Sequence, residues 1–100
     1  MKIMRFTERQ KVVLRGLSLV PGGTSMAYFI YLLTGKYPSH DGKGEVPTWK
    51  STFAALRKRR LVFRRFEYTH WNWSLSLQGV SVVQRWLIRA RKLSLGVQAR

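Results

Sequence analysis

One stretch of the sequence decides the fold: residues 48–79, which read TWKSTFAALRKRRLVFRRFEYTHWNWSLSLQG. The order of its patterns predicts a helix, a strand, a turn, a second strand and the start of another helix. The helix is rich in Lys and Arg, and aromatic residues recur along both strands. A basic helix followed by an antiparallel hairpin is therefore the unit from which we interpret the chain.

The predicted basic helix has an apolar side. Pro47 disfavours a helical conformation at the residue before it, and the Thr48 hydroxyl can cap free N–H groups, so we expect the helix to begin at Thr48. Because helical residues advance by about 100° each, Trp49, Phe53 and Leu56 share one side. This side should face the core.

The opposite side combines small residues with cations. Small side chains let a helix approach a groove closely, a Ser hydroxyl can bond a base edge or a phosphate, and an Ala methyl can touch a thymine methyl. A surface helix with a solvated basic face would show the same pattern, so both interpretations stay open from this helix alone. The residues of this side are Lys50, Ser51, Ala54, Ala55, Arg57, Lys58 and Arg59.

The second predicted strand alternates apolar residues with Asn and Ser over residues 71–77, the period of two that marks a half-buried strand. Packing of a plain antiparallel hairpin explains this alternation. Packing does not explain the presence of Arg64, Arg65 and His70, which lie where a hairpin could reach a phosphate or a minor groove.

The exposure of the hairpin aromatics separates two interpretations. We expect Trp71 and Trp73 to be buried under the last helix, as part of the core. Exposure of Trp71 and Tyr68 would instead favour stacking on single strands or RNA.

The stretch resembles the winged helix-turn-helix family of DNA-binding proteins through two short motifs. In that family a recognition helix ends in a leucine, and a Gly-Leu-Val segment begins the wing; here Leu56 precedes RKRRLV, with Arg60 in place of the glycine. The wing of the family ends in aromatic-x-Leu-Thr-x-x-Gly, which reads WSLSLQG at residues 73–79. Ser76 replaces the Thr and can cap the next helix. The resemblance is greatest to MarR-like and PadR-like regulators.

Pattern and resemblance together predict one α+β domain over residues 1–100, a winged helix-turn-helix with a three-helix core, a two-stranded β-hairpin wing and a long C-terminal helix. The predicted helices span about 7–19, 25–34, 48–59 and 77–92, and the wing spans about 61–77. The resemblance implies sequence-specific binding of double-stranded DNA by a transcriptional regulator. The helix from Thr48 would enter the major groove, and the wing would meet the backbone or the minor groove. The candidate DNA-binding residues are Thr48, Lys50, Ser51, Ala55, Arg57, Lys58, Arg64, Arg65 and His70.

The composition indicates a polyanionic partner. The chain has 19 Lys and Arg against 4 Asp and Glu, a net charge of +15, which favours nucleic acid first, then an anionic membrane surface or an acidic protein. With no Cys, it can form neither a disulfide nor a thiolate metal site. No apolar run approaches the ~20 residues that span a bilayer, and the first residues lack a secretory signal's apolar core. We therefore expect a cytoplasmic, nucleoid-associated protein that does not enter a membrane.

Two further helices are predicted before the basic one. Thr7 followed by Gln10 fits a capping box, and the cations Arg5, Arg9, Lys11 and Arg15 around that helix are either solvated or in contact with flanking phosphates. Thr24 or Ser25 begins the second helix. Its residues spaced for burial are Met26, Phe29, Ile30 and Leu33.

The connection over residues 35–47 is longer than the three or four residues usual between such helices. It is either a flexible surface loop or a basic loop, with Lys36 and Lys43, that becomes ordered on DNA.

The last helix carries two apolar rows, one of Val80, Val83 and Leu87 and one of Val82, Trp86 and Leu93. MarR-like proteins dimerise through terminal helices, so the resemblance implies a homodimer through the second row. Alternatively, Trp86 covers the apolar face of the hairpin.

No catalytic constellation stands out among the acid–base candidates, and two His without Cys argue against zinc. We therefore expect neither catalysis nor a cofactor. Two alternatives to a regulator remain: an architectural or DNA-processing accessory protein, as in plasmid transfer or replication, and a basic adaptor for RNA or an acidic protein. The acid–base candidates are Glu8, His40, Asp41, Glu45, Glu67 and His70.

Overall fold

The computed structural model describes residues 5–38 and 45–98, except for the side chains of residues 45–47 and 93–98. Within these residues the fold is α+β, with four helices and one two-stranded antiparallel hairpin, an order compatible with a winged-helix layout. The elements are α1 (Glu8–Ser18), α2 (Met26–Thr34), α3 (Glu45–Lys58), β1 (Val62–Glu67), β2 (His70–Leu75) and α4 (Leu77–Gln98).

The first two helices begin where their caps predict. The Thr7 hydroxyl accepts the Gln10 N–H at 3.1 Å, and the Gln10 side chain accepts the Thr7 N–H at 3.0 Å, which confirms the capping box. Ser25 caps α2 by accepting the Tyr28 N–H at 3.2 Å. Gly35 then ends α2 in the left-handed conformation, φ 78°, where glycine has no steric penalty.

The start of α3 differs from the prediction. The helix begins at Glu45, so Thr48 lies inside it and is not its N-cap; the Thr48 carbonyl accepts the Thr52 hydroxyl at 3.2 Å. Pro47 is compatible with this start because the first-turn N–H groups have no partner within a helix. The part of the predicted loop that carried His40, Asp41 and Lys43 lies outside the described residues.

The end of α3 is a Schellman motif that turns the chain into the hairpin. The Leu61 N–H bonds to the Leu56 carbonyl at 3.1 Å, and the Arg60 N–H bonds to the Arg57 carbonyl at 2.9 Å. Arg60 is left-handed, φ 63°, so it occupies the conformation that the family's glycine favours. Leu56 and Leu61 are both fully buried, which supplies the apolar contact of this motif.

The hairpin is extended by a third short segment. β1 and β2 pair from Val62 opposite Leu75 to Glu67 opposite His70. On its other edge, β2 exchanges two backbone hydrogen bonds with Thr24: Thr24 N–H to the Trp73 carbonyl at 2.9 Å and Trp73 N–H to the Thr24 carbonyl at 2.8 Å. The chain between α1 and α2 is therefore attached to the hairpin.

The junction between β2 and α4 confirms the predicted cap. The Ser76 hydroxyl accepts the Gly79 N–H at 3.1 Å and donates to the Arg60 carbonyl at 2.7 Å. A Cβ at Gly79 would overlap the Leu61 carbonyl oxygen, so glycine allows α4 to pass directly over the start of the hairpin. α4 then continues to Gln98, beyond the predicted end near residue 92.

The core lies between α1, α3, the hairpin and the first half of α4. Trp73 packs on Phe53 of α3 with ring centres 4.9 Å apart, and Phe29 of α2 meets Phe53 edge-on at 5.4 Å. The predicted burial of Leu33 is wrong, because Leu33 lies on the exposed side of α2. The buried apolar residues that form one cluster are Val13, Leu14, Leu17, Phe29, Phe53, Leu56, Leu61, Val62, Trp73, Val82 and Val83.

The two predicted rows of α4 are not separate surfaces. Val82 and Val83 are both in the core, whereas Leu87 is exposed. Trp86 is half-buried; it meets Phe6 edge-on at 5.5 Å and the Arg15 guanidinium at 5.4 Å. The close approach at Gly79 orients α4 so that these residues face α1. In the predicted dimer row, Val82 is buried in the core and Trp86 packs on Phe6 and Arg15 of the same chain. The Leu93 side chain lies outside the described residues. No helix among the described residues is long and apolar enough to cross a bilayer.

Candidate nucleic-acid interface

The outer side of α3 is open, as the sequence predicts. Core contacts of Phe53 and Leu56 hold one side of the helix against the domain. The candidate residues Lys50, Ser51, Arg57 and Lys58 are exposed on the remaining surface, together with Ala54, whereas Thr48 and Ala55 are half-buried.

One part of this surface is a groove between α3 and the hairpin. Its volume is about 570 Å³. Cations from both elements and the rings of two Trp residues border it, and none of the described residues that line it is acidic. This hairpin groove is lined by Met26, Lys50, Ala54, Arg57, Lys58, Arg64, Trp71 and Trp73.

Strand register places Arg64 in the hairpin groove. Arg64 lies opposite Trp73, and Phe66 lies opposite Trp71, so these four side chains share the face that packs towards α3. The Arg64 guanidinium carbon lies 4.1 Å from the ring centre of Trp71 and 5.7 Å from that of Trp73. This stacking holds a planar cation beside the groove.

The Arg64 Nε has no hydrogen-bond partner among the described residues, although it is buried. A buried donor without a partner destabilises the free protein. A phosphate or base oxygen that drew the guanidinium outwards would supply the missing acceptor, so the arrangement favours an anionic ligand in the hairpin groove.

Arg65 and His70 lie on the other face of the hairpin. Successive strand residues point to opposite faces, and the register places Arg65 opposite Asn72 and His70 opposite Glu67. Both side chains are exposed. The structure therefore separates Arg65 from Arg64, and only Arg64 joins the cations of α3.

Ser51 and Ala55 lie on the flank of α3 that faces α1. There they border a second groove, about 460 Å³ in volume, with Thr7, Glu8 and Arg9 among its other lining residues. Lys58 borders the hairpin groove instead. The candidate residues Ser51, Ala55 and Lys58 thus span the width of the outer side of α3, and Ala55 is the least accessible of the three.

Not every cation near α3 is free to bind a ligand. Arg59 Nη1 donates to the Arg5 carbonyl at 3.0 Å, and its guanidinium lies 4.3 Å from the ring centre of Phe6, so Arg59 anchors the N-terminal segment. Lys11 forms the one ion pair among the described residues, 3.2 Å from the Glu8 carboxylate. The other described cations have no described carboxylate within that range.

The aromatic residues of the hairpin divide into a buried and an exposed group. Trp73 is 6% exposed and packs on Phe53 of α3, in the same buried cluster as Val82 and Val83 of α4. The predicted burial of Trp71 is wrong: it is 43% exposed, Phe66 is 57% exposed and Tyr68 is 95% exposed. Period-two alternation identifies the face that these rings share, but it cannot show that the core extends only as far as Trp73.

Sequence patterns also missed Met26 and Trp71 as lining residues of the groove, because both were assigned to the core. Within the described part of the chain, no three His, Cys, Asp or Glu residues come together in a way that could hold a metal ion. No protein-family model matches the chain, and neither a curated protein nor a solved structure is significantly similar to it.

Proposed function

We propose that this protein is a winged helix-turn-helix protein that binds double-stranded DNA in a sequence-specific manner and acts as a transcriptional regulator on the nucleoid, in the cytoplasm. One observation carries the proposal: the exposed cationic side of α3 continues across the hairpin groove to Arg64, with no acidic side chain among the described residues that line the groove. Such a surface complements the phosphates on either side of a DNA groove.

The dimensions of α3 suit the major groove. Its 14 residues make a rod of about 21 Å at about 1.5 Å per residue, and a helix of about 10–12 Å diameter fits a groove about 12 Å wide. Ser51, Ala54 and Ala55 allow close approach. In this complex Ser51, Ala55 and Lys58 would meet base edges.

The phosphate contacts would come from both sides of the hairpin groove. Lys50 and Arg57 on α3 and Arg64 on β1 would hold one backbone. A hairpin that enters the minor groove edge-on presents each of its faces to a different backbone, so Arg65 and His70 would contact the backbone opposite Arg64. The register of the hairpin supports this division, because it puts Arg64 and Arg65 on opposite faces.

The first experiment separates base reading from charge. We expect Lys58→Ala to weaken binding to a selected duplex more than binding to scrambled competitor, measured by competition titration. Arg85→Ala is the matched control, because Arg85 is an exposed cation of α4 that does not line the hairpin groove. An equal loss for both duplexes would leave Lys58 as a phosphate contact only.

The second experiment counts phosphate contacts. The slope of log K against log salt concentration is negative, and each lost phosphate contact should make it less steep by about 0.9. We therefore expect Lys50→Ala and Arg57→Ala each to decrease the magnitude of the slope by about 0.9, and Arg85→Ala to leave it unchanged.

Selection from a random duplex pool, followed by sequencing, supplies the target for these titrations. An enriched palindrome would indicate a homodimer on DNA. Equal affinity for every duplex would contradict sequence-specific regulation and favour the architectural or DNA-processing alternative.

A further inference from the structure

The tip of the hairpin exposes three aromatic rings that the fold does not require. Phe66, Tyr68 and Trp71 lie within six consecutive positions and are all substantially exposed. Phe66 and Trp71 pack edge-on, with ring centres 5.1 Å apart, and form one apolar edge that the core does not cover. Exposed clusters of large apolar side chains mark interaction sites.

Tyr68 combines an unusual backbone conformation with a highly exposed side chain. It lies in the turn between the strands with φ 56°, a conformation that Gly or Asn adopts easily and that is rare for a bulky residue. The side chain is almost fully exposed. Core packing therefore does not explain why an aromatic residue is found at a turn position whose left-handed backbone conformation disfavours it.

Trp71 joins this aromatic edge to the cations of the hairpin groove. The Arg64 guanidinium lies over its ring at 4.1 Å, and Lys50, Arg57 and Lys58 border the same groove. A ring for a base and cations for the adjoining phosphates are the two components of single-stranded nucleic-acid sites.

An aromatic ring cannot stack on the base faces of a continuous DNA duplex. In a B-form duplex the neighbouring base pairs cover the face of each base, and only base edges are accessible in the grooves. An aromatic side chain can stack on a base only where that base has lost a neighbour, at a duplex end, a bulge or a single-stranded tail.

We propose that the aromatic edge of Phe66, Tyr68 and Trp71 stacks on an unpaired base beside the duplex held by α3, so that the protein prefers DNA at a junction between double-stranded and single-stranded segments. This inference rests on the proposed duplex binding, and it names the form of DNA that the same interface selects.

The test compares three fluorescently labelled probes by anisotropy at one salt concentration: a blunt duplex, the same duplex with a short single-stranded thymidine tail, and the tailed strand alone. We expect the tailed duplex to bind about five-fold or more tightly than the blunt duplex, because one stacked base contributes a factor of at least this order. The tailed strand alone should bind more weakly than the tailed duplex, because it lacks the duplex for α3.

Three variants assign the preference to the rings. Tyr68→Asn should reduce the preference for the tailed probe while blunt-duplex affinity stays within about two-fold, because Asn suits the left-handed turn and so preserves the hairpin. Trp71→Ala should reduce the ratio of tailed-probe to blunt-duplex affinity; the ratio is the readout, because Trp71 lines the hairpin groove and supports Arg64, so its loss should also weaken blunt-duplex binding. Phe63→Ala is the matched control. Phe63 has an exposed fraction of 42%, similar to the 43% of Trp71, but it lies on the opposite face of the hairpin. Its replacement should therefore leave the preference for the tailed probe intact.

A spectroscopic variant separates stacking from a structural role. The chain contains four Trp, and stacking should quench the fluorescence of Trp71 when the tailed probe binds. Trp71→Phe should retain most of the preference, because Phe also stacks, but should lose most of the quenching.

The outcomes distinguish the two proposals. Equal affinity for tailed and blunt duplexes would overturn the junction preference and leave duplex binding in place, as would a preference that survives both Trp71→Ala and Tyr68→Asn. Binding of the tailed strand alone, without binding of the blunt duplex, would overturn both proposals.

Discussion

The residue that follows the end of α3 allows a quantitative test of how the hairpin begins. Arg60 is left-handed at φ 63° within the Schellman motif. An L-residue is less stable there by about 1–2 kcal/mol, because its Cβ approaches the following carbonyl oxygen. Glycine has no Cβ, so we expect Arg60→Gly to raise the free energy of unfolding.

The expected magnitude is the difference between two effects. Relief of the left-handed conformation contributes about 1–2 kcal/mol, and the greater freedom of glycine in the unfolded chain removes about 0.5–1 kcal/mol. The net stabilisation should lie between zero and about 1.5 kcal/mol, with a central value of about 0.75 kcal/mol. For a domain of this size 1 kcal/mol corresponds to about 4–8 °C, so the central value corresponds to a rise in Tm of about 3–6 °C.

Urea denaturation and a thermal melt measure this change, with Arg60→Ala as the reference. Both variants remove the same charge and side chain from a strongly basic protein, but Ala keeps the Cβ, so the comparison isolates the backbone conformation. Arg57→Gly, inside α3, should instead lower stability by about 1 kcal/mol. If Arg60→Gly is no more stable than Arg60→Ala, the left-handed conformation is not the reason why the family's glycine suits this position.

Three further substitutions test the packing around the hairpin. Gly79→Ala should lower the free energy of unfolding by about 1–3 kcal/mol, since its Cβ would overlap the Leu61 carbonyl oxygen; an unchanged urea midpoint would mean that α4 moves away without cost. Trp73→Ala should cost about 3–5 kcal/mol in the same titration, far more than Trp71→Ala, and equal losses would contradict the division of the aromatic residues into buried and exposed groups. Ser76→Ala should lower stability by about 1 kcal/mol through the lost cap of α4, and a Tm equal to that of the unaltered protein would show that the cap contributes nothing.

Local signals predicted the helices well where short-range hydrogen bonds decide the boundary. The Thr7 capping box, the Ser25 cap and the Ser76 cap each require groups only three residues apart, and the structure contains all three. The start of α3 escaped prediction because Pro47 fits equally well before a helix and within its first turn. The residues next to Pro47 in the sequence do not show whether Pro47 precedes the helix or lies in its first turn.

The candidate interface was predicted in part. Helical periodicity identified the exposed cations of α3, because burial of Phe53 and Leu56 leaves only the opposite side open. The same period-two pattern that predicted the second strand also predicted burial of Trp71, which was wrong, and a list of cations along the hairpin grouped Arg64 with Arg65. The alternation of strand faces places these two arginines on opposite sides.

The sequence by itself determined the caps of α1, α2 and α4, the hairpin, the basic side of α3 and the excess of positive charge, because each depends on periodicity, on hydrogen bonds within a few residues or on composition. Tertiary structure decided how far the core reaches along the hairpin, which rows of α4 are buried and which cations share a groove. These depend on contacts between elements distant in the chain, such as Gly79 against Leu61 and Trp73 against Phe53. No local pattern encodes the distance at which one element covers another, so the exposure of Trp71 and its position beside Arg64 follow only from the assembled fold.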